Sequence, residues 1–145
     1  MGSRDRSRPQ RGTVTLLDTH VLLWLRTGNA RLGSLALREI DRAWHVGEVA
    51  VSAITFWEVA LLHQKRRIAF SGDVSLWRRE QLEQGLVEVP VDGEIGIRAN
   101  SFAAFHGDSA DRIILATALD GHRLLTGDER ILAWGGDLDR LDART

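Results

Sequence analysis

Short apolar runs alternate with amphipathic segments along most of the chain. Four runs rich in β-branched and aliphatic residues predict buried strands at 13–17, 48–52, 86–91 and 122–126. Between and after these runs, apolar residues recur at helical spacing, and glycines such as Gly47, Gly85 and Gly121 follow the periodic segments. The pattern predicts helices over 20–26, 31–47, 54–67, 75–85, 93–105, 109–121 and 128–136.

The alternation of strands with helices indicates a parallel sheet that helices cover on both faces. We therefore predict an α/β fold with a three-layer α/β/α arrangement and a central, mostly parallel sheet of four to five strands. The fifth strand is expected at a sheet edge near the sequence LDRLDA, residues 138–143, where the pattern is weakest. No internal repeat or linker interrupts the pattern.

Residues 1–12 are polar and basic and show no apolar period, so we predict a disordered tail there and a single domain over 13–145. The domain has ordinary composition, since 43% of the 145 residues are hydrophobic and 27% are charged. No apolar run approaches the roughly 18 residues of a membrane span, and the N-terminus lacks the apolar stretch of a secretory signal. We expect a cytoplasmic location and no membrane partner.

Several chemistries are excluded by what the chain lacks. There is no cysteine, so disulfides and thiolate catalysis are impossible. The net charge of −1 does not indicate nucleic-acid binding through bulk electrostatics. No serine–histidine–aspartate order or glycine-rich phosphate loop stands out, and His20 is interpreted as structural. The five histidines show no zinc-binding spacing; they are His20, His45, His63, His106 and His122.

Glu58 is the only charged residue in the run AITFWEVALL, residues 53–62. Burying an unpaired carboxylate is costly, so such a group shifts its pKa or finds a partner. Its neighbours three and four positions away on the helix carry no charge; they are Ile54, Thr55, Leu61 and Leu62. The partner of Glu58 must therefore come from elsewhere in the fold, or it must be an ion.

Three aspartates fall where predicted strands end or helices begin. Asp18 follows the first strand, Asp128 follows the fourth, and Asp111 lies in the first turn of the helix at 109–121. Ligands of open α/β sheets bind beyond the carboxyl ends of the strands, so these aspartates and Glu58 are predicted to converge. Clustered carboxylates repel one another, and a hard cation such as Mg²⁺ or Mn²⁺ neutralises them. Such a site would polarise a phosphate and activate water for phosphodiester cleavage.

Each aspartate also has a purely structural alternative. Asp18 is suited to cap the helix that follows it. Asp111 fits the third helical position behind an Asp108 cap, where a carboxylate stabilises the helix dipole. Asp128, in TGDER, fits a turn or a helix cap. Taken one at a time, these positions do not decide between structure and catalysis.

Four segments in order resemble the motif blocks of a PIN domain, and most closely those of the VapC-type toxin ribonucleases of bacterial toxin–antitoxin pairs. They are LLDTHVLLWL (16–25), VSAITFWEVALL (51–62), DSADRIILATAL (108–119) and LLTGDERIL (124–132). The resemblance covers about residues 13 to 135 and implies a PIN-like, Rossmann-like fold. The frequent DPADR of the family is DSADR here, which loosens the helix start but keeps Asp111.

The resemblance implies a site for Mg²⁺, with Mn²⁺ as a substitute, that cleaves RNA as an endoribonuclease. The catalytic and metal-binding acids would be Asp18, Glu58, Asp111 and Asp128, with Asp18 and Asp111 as principal ligands. Thr19 and Thr126 would be the small polar residues beside them. Arg112 is expected to form a structural ion pair rather than to act in catalysis.

The resemblance also implies homodimerisation and inhibition by a cognate VapB-type antitoxin, whose C-terminal segment packs in a groove of the toxin and often sends a basic side chain to the acids. The corresponding groove would lie along residues 61–82, with Phe70, Leu76 and Trp77 as apolar contacts or as plain core residues. The basic residues of this stretch are suited to position RNA phosphates or to form a solvated helix face; they are Lys65, Arg66, Arg67, Arg78 and Arg79.

Other functions compete with a toxin nuclease. A catalytically inactive PIN-like module would bind only RNA or protein, although the presence of all four acids argues against this. A receiver-like signalling domain needs a lysine after a late strand, whereas the single lysine, Lys65, is in the middle of a helix. A magnesium phosphatase needs an acid two residues after its nucleophilic aspartate, and position 20 is His20.

Overall fold

A five-stranded, fully parallel sheet forms the centre of the part of the chain that the structure describes. This computed structural model describes residues 14–68, 70, 72–102 and 104–145, so the predicted tail at 1–12 lies outside it. The strand order is β3-β2-β1-β4-β5. The strands are β1 (Thr15–Leu17), β2 (Val49–Ser52), β3 (Val87–Val89), β4 (Arg123–Thr126) and β5 (Arg140–Asp142).

Helices cover both faces of the sheet, as the predicted three-layer fold requires. They are α1 (Thr19–Thr27), α2 (Ser34–His45), α3 (Ile54–Gln64), α4 (Val74–Glu83), α5 (Gly93–Ala99), α6 (Ser109–Ala118) and α7 (Glu129–Leu132). Successive strand residues point to opposite faces. Leu16 packs with residues of α5, α6 and α7, whereas Leu17 packs with residues of α1 and α2. The predicted fold class is therefore confirmed, and the weak edge strand near 138–143 is present as β5.

The helix predicted over 93–105 is shorter than expected and ends at Ala99. Beyond it, the chain turns around the guanidinium of Arg112, which donates hydrogen bonds to the main-chain oxygens of Ala99 (3.2 Å) and Phe105 (2.7 Å). The ion pair predicted for Arg112 is wrong, because within the described residues its guanidinium bonds carbonyl groups instead of a carboxylate. Arg112 thus holds the loop that follows α5.

Other helices also end earlier than their sequence pattern predicts, and two of them show a local reason. The helix predicted over 54–67 ends at Gln64, and Arg66 adopts a left-handed backbone with φ of 59°. The helix predicted over 128–136 has only four residues, Glu129–Leu132, with Asp128 as its N-cap. Within the described chain, no helix is both long and apolar enough to cross a membrane.

The pairing of β1 with β4 brings the site residues together. Leu17 and Leu125 are partners in the parallel register, and the Asp18 N–H continues the pairing by donating to the Leu125 oxygen at 3.0 Å. Asp18 and Thr126 are therefore neighbours at the carboxyl end of the sheet, although 108 positions separate them in the sequence.

Candidate active site

Asp18 is a buried carboxylate at the carboxyl end of β1, with 2% of the residue exposed. It is the N-cap of α1, and its Oδ1 accepts a hydrogen bond from the Thr19 N–H at 2.9 Å. Its Oδ2 accepts a hydrogen bond from the Thr126 hydroxyl at 2.7 Å. Burial raises the pKa of Asp18, and these hydrogen bonds oppose the rise only in part. Asp18 therefore caps α1 and also belongs to the acidic site.

Thr126 joins Asp18 to the segment that carries Asp128. Its hydroxyl is fully buried, donates to Asp18 and accepts from the Asp128 N–H at 3.0 Å. Asp128 in turn caps α7, because its Oδ1 accepts from the Arg130 N–H at 2.8 Å. One hydroxyl thus fixes two of the predicted acids relative to each other.

Glu58 is held by Thr19 on the other side of Asp18. The Thr19 hydroxyl donates to the Glu58 carboxylate and lies 2.9 Å from the Thr55 hydroxyl, which is fully buried. Burial raises the pKa of Glu58, and the nearby carboxylates Asp18 and Asp108 raise it further. Among the residues that the structure describes, no basic side chain forms an ion pair with Glu58. The partner that the described fold supplies is the neutral Thr19 hydroxyl, which does not balance the charge of Glu58.

Asp111 lies in the first turn of α6, in a reciprocal pairing with the N-cap Asp108. The Asp111 N–H donates to Asp108 Oδ1 at 2.9 Å, and the Asp108 N–H donates to Asp111 Oδ2 at 3.3 Å. Burial, followed by the charges of Asp108, Asp18 and Asp128, raises the pKa of Asp111 to about 7. The predicted capping role is present, and the same carboxyl group also faces the other acids.

Arg130 is a site residue that the sequence reasoning missed. Its Nη2 lies 2.9 Å from Asp111 Oδ2 and 2.9 Å from Asp128 Oδ2, so one guanidinium bridges two acids. Hydrogen bonds and charge from Arg130 together outweigh the burial of Asp128 and hold its pKa below the usual value. The available signal was its place two residues after Asp128 in GDER, within the first turn of α7.

His20, interpreted from the sequence as structural, also borders the site. Its Nε2 accepts a hydrogen bond from the Gly127 N–H at 2.8 Å, and its Nδ1 lies 3.7 Å from Asp18 Oδ2. Because Nε2 accepts, the proton of the neutral ring belongs on Nδ1, on the side of Asp18. His20 therefore fixes the loop after β4 and faces the central carboxylate.

The predicted acids and threonines form one continuous chain of contacts. Starting from Glu58, it passes through Thr19, Asp18, Thr126, Asp128 and Arg130 to Asp111. Four carboxylates from four separate segments are thus linked at one end of the sheet. The threonine hydroxyls and Arg130 set the spacing between them.

The donor chemistry fits a hard divalent cation. The acids offer only carboxylate oxygens, which such a cation prefers. Burial raises the pKa values of Asp18, Glu58 and Asp111, so their negative charges are not fully balanced by the surrounding protein. The acids do not form a closed set of metal ligands in this structure. Among the described residues, no group of three or more acidic or histidine side chains could hold a metal ion. Arg130 is the cation that bridges Asp111 and Asp128 in this structure.

The stability of the metal-free protein is expected to fall as the pH rises from about 4 to 7. Asp111 has a pKa of about 7 in the folded protein, against about 4 in an unfolded chain. The folded state therefore binds this proton more tightly, and its contribution to stability is lost as the carboxyl group ionises. We expect the Tm in chelator to decrease across this range, and Asp111→Asn to flatten the decrease.

Asp73→Asn is the matched control for this pH dependence, because Asp73 is an exposed N-cap of α4 outside the site. It should keep the wild-type slope of Tm against pH. Equal slopes for the wild type and Asp111→Asn would show that Asp111 is not the group responsible.

The sequence and the fold both match those of known proteins. The model of the PIN domain family matches residues 15–135. The ribonuclease VapC22 of Mycobacterium tuberculosis (strain ATCC 25618 / H37Rv) is 36% identical over 121 residues, which cover 82% of this chain and 90% of that protein. The chain therefore belongs to the PIN domain family, as the four motif blocks predicted.

Two solved structures share the fold. A toxin–antitoxin complex from Klebsiella pneumoniae superposes with a TM-score of 0.61 at 24% identity, covering 89% of this chain and 97% of that chain. The structure of FitAB bound to an IR36 DNA fragment superposes with a TM-score of 0.60 at 20% identity, covering 91% of this chain and 96% of that chain. At these identities, the two structures establish a common architecture.

Proposed function

We propose that this chain is an endoribonuclease that hydrolyses RNA phosphodiester bonds and acts as the toxin of a toxin–antitoxin pair. The observation that carries the proposal is the linked set of four acids at the carboxyl end of the sheet, in a chain that belongs to the PIN family. Its 36% identity to a protein named ribonuclease VapC22 supports RNA as the substrate. The toxin-type assignment rests on the same relative and on the motif resemblance.

We infer that Asp18 and Asp111 are the principal ligands of Mg²⁺ or Mn²⁺, and that Glu58 and Asp128 complete the acidic site. The bound cation would polarise the scissile phosphate and lower the pKa of a bound water molecule. Thr126 orients Asp18 through its hydroxyl, and Thr19 orients Glu58 in the same way. Asp111 is the acid whose pKa of about 7 lets it release its proton near neutral pH.

Arg130 has two uses in this proposal. In the protein alone, it partly neutralises Asp111 and Asp128. If these carboxylates held a metal ion instead, the guanidinium would lose them as partners and would be free to bind another anion. A guanidinium is well suited to bind a phosphate oxygen pair, so Arg130 would then position the RNA backbone.

Cleavage of total cellular RNA by the purified protein tests the proposed function. Discrete new ends are expected with Mg²⁺ or Mn²⁺ and should be absent with chelator, and sequencing the ends would identify the target. If folded protein free of antitoxin makes no cut with either metal, the catalytically inactive RNA- or protein-binding module becomes the better assignment.

A partly apolar cavity of about 300 Å³ supports an antitoxin-binding groove at the predicted place. It is lined by Leu23, Arg26, Thr27, Ile68, Phe70 and Trp77. Phe70 stacks on Trp77 with ring centroids 5.5 Å apart, so two of the three predicted apolar contacts form one wall. Leu76, the third, is 46% exposed. We infer that the antitoxin inserts an apolar side chain beside these rings.

Four of the five basic residues noted in the stretch 61–82 are exposed to solvent, and the fifth is paired within the protein. Arg78 forms an ion pair with Glu88 and lies over the Phe56 ring, so its role is structural. The other four are exposed and keep the proposed role of contacting RNA phosphates; they are Lys65, Arg66, Arg67 and Arg79.

Arg26 adds a chemical requirement for the partner. Its Nε and Nη2 are inaccessible to solvent and make no hydrogen bond within the described residues, while its guanidinium lies 5.0 Å from the Trp44 ring centroid. Buried donors without an acceptor are costly. We propose that an antitoxin carboxylate or main-chain oxygen enters the cavity that Arg26 lines, and that the guanidinium turns towards this acceptor on binding.

The Arg26→Met variant is expected to bind the antitoxin about 10- to 100-fold more weakly, which is the effect of losing a hydrogen bond to a charged group. Its Tm in the absence of antitoxin should be unchanged or higher, because the substitution removes unpaired buried donors. Binding of the co-purified antitoxin by titration calorimetry is the measurement. Arg38→Met, at an exposed position on α2, should bind as the wild type does; equal affinity for both variants would contradict the role of Arg26.

Homodimerisation stays a prediction of the family resemblance. Two large apolar side chains are available for a subunit contact, since Trp57 on α3 is 55% exposed and Ile97 on α5 is 76% exposed. Light scattering after size-exclusion chromatography would measure the oligomeric state.

A further inference from the structure

We propose that His20 is a positioning residue of the acidic site. By holding Gly127, it sets the place of Asp128 relative to Asp18 and thereby the affinity of the site for a divalent cation. This inference rests on the proposed metal-dependent function and deepens it. The residue that the sequence indicated as merely structural thus has a role in the chemistry of the site.

Gly127 lies between two residues that the site uses. Thr126 orients Asp18 through its hydroxyl, and Asp128 is one of the four acids. Because β4 ends at Thr126, Gly127 lies just beyond the sheet. A shift of Gly127 would therefore move a hydroxyl and a carboxylate of the site together.

His20 supplies a hydrogen bond that holds this loop in place. Its Nε2 accepts from the Gly127 N–H at 2.8 Å. The other ring nitrogen, Nδ1, lies 3.7 Å from Asp18 Oδ2. One edge of the ring therefore binds the loop that carries Asp128, and the opposite edge faces Asp18. This geometry is possible because His20 lies in the first turn of α1, two residues after the N-cap Asp18.

Gly127 also fits closely against two rings of α1, His20 and Trp24, which we call the ring pair. A Cβ atom at position 127 would lie 2.9 Å from Cη2 of Trp24 and 3.4 Å from Nε2 of His20. The rings are four residues apart on α1 and pack edge to face, with centroids 4.9 Å apart. Each ring therefore limits the movement of the other, and a methyl group on Gly127 would have to displace one of them.

The ring pair makes α1 a common support for two carboxylates. Asp18 is held directly as the N-cap of this helix, and Asp128 is held through Gly127. Side chains that orient metal ligands are part of a metal site, and their loss weakens metal affinity or activity about 10- to 100-fold. His20 should therefore act on the affinity for the cation through Asp128, while the fold depends little on it.

The test is the binding of Mn²⁺ to the purified full chain, free of antitoxin and without RNA, measured by titration calorimetry. His20→Asn should raise the Kd for Mn²⁺ about 10- to 100-fold, because its shorter side chain has no acceptor at the place of Nε2. His20→Gln should keep most of the wild-type affinity, because its longer side chain can place an oxygen near that position. Both variants should melt close to the wild type in chelator, since 35% of the His20 side chain is exposed.

Gly127→Ala tests the close fit independently of the hydrogen-bond acceptor. The backbone of Gly127 is not left-handed, so alanine is not strained there by itself. Its methyl group should instead push the loop away from the ring pair and raise the Kd for Mn²⁺ by a similar factor. Gly135→Ala is the matched control, because the described part of the chain leaves the Cβ position open there. It should bind Mn²⁺ as the wild type does.

Cleavage of an RNA with a mapped cut separates this role from a general loss of folding. His20→Asn should cleave slowly at a Mn²⁺ concentration that saturates only the wild type, and added Mn²⁺ should restore most of its kcat. A fold defect would lower kcat at every concentration of the ion, which would contradict the positioning role.

The outcomes also distinguish this role from the proposed function. Absence of Mn²⁺ binding by the wild type would overturn the proposed metal site, and the role of His20 with it. Normal Mn²⁺ binding by both His20→Asn and Gly127→Ala would overturn the role of His20 alone. Equal losses in the asparagine and glutamine variants, with normal binding by Gly127→Ala, would place the effect in the ring beside Asp18 and overturn the role of the Gly127 bond. The expected pattern of Mn²⁺ binding without RNA cleavage would overturn the nuclease and support the positioning role.

Discussion

Replacing Asp18 with asparagine is expected to abolish metal-dependent RNA cleavage while the fold is retained. Asp18 is the central member of the linked acids, with direct contacts to Thr19 and Thr126. An amide has no charge for a cation, and loss of one preorganised electrostatic group in an active site costs about 10²- to 10³-fold in rate. We expect at least this loss of kcat, measured on an RNA with a mapped cut at saturating Mg²⁺.

The stability of Asp18→Asn should be close to that of the wild type. Asparagine caps a helix as well as aspartate does, so the bond from the Thr19 N–H is kept. Its amide nitrogen then takes the place of Oδ2 and cannot accept from the Thr126 hydroxyl, so that bond is lost. Burial raises the pKa of Asp18, so a neutral side chain also relieves a cost that the carboxylate imposes on the metal-free protein. Thermal melting in chelator is the measurement.

Asp92→Asn is the control for the change of Asp18, because Asp92 caps α5 in the same way through the Ile95 N–H and takes no part in the site. It should cleave RNA at the wild-type rate. Full activity in Asp18→Asn would remove the acid cluster as the catalytic site, whereas a collapse of its Tm would show that the charge is needed for folding.

Replacing Thr126 with valine is expected to produce the largest loss of stability among these variants. Valine matches the shape of threonine but cannot donate to Asp18 or accept from the Asp128 N–H. A buried polar group without a partner costs about 1–3 kcal/mol, and two groups lose their partner here. We expect urea unfolding to show a loss of unfolding free energy of about 1–3 kcal/mol for each of the two groups. Cleavage should also be slower, because Asp18 is no longer oriented.

The cost of Thr126→Val should increase with pH over the range in which Asp18 ionises. The Thr126 hydrogen bond lowers the pKa of Asp18, so its removal raises that pKa further and destabilises the ionised form. Thr126→Ser keeps the hydroxyl and is the matched control; it should retain most of the stability and the activity. If the serine and valine variants were equally destabilised, the loss would come from packing of the methyl group.

The order of strands and helices was predictable from the sequence because it depends on local periodicity. The alternation of apolar runs and helical segments gave the α/β class, and the positions of Asp18 and Asp128 followed from where strands end. Helix ends were less predictable. The helix beginning at Gly93 stops at Ala99, where the chain instead turns around Arg112, whose partners are main-chain oxygens that no residue pattern identifies.

The candidate acids could be proposed from the sequence, but their surroundings could not. The place of Arg130 two residues after Asp128 indicates that local contact, but its contact with Asp111 joins residues 19 positions apart. His20 was interpreted as structural, yet its ring lies beside Asp18. Its hydrogen bond to the loop after β4 likewise joins residues 107 positions apart.

The sequence by itself determined the layered α/β architecture, the family, three aspartates at the ends of its elements and Glu58 within a helix. Those features depend on hydrophobic periodicity and on short motifs, both of which are local. Only the tertiary structure decided that Thr126 holds Asp18 and that Arg130 bridges Asp111 and Asp128. These contacts join distant segments, and they exist because the parallel order of β1 and β4 and the packing of α6 and α7 bring those segments to one edge.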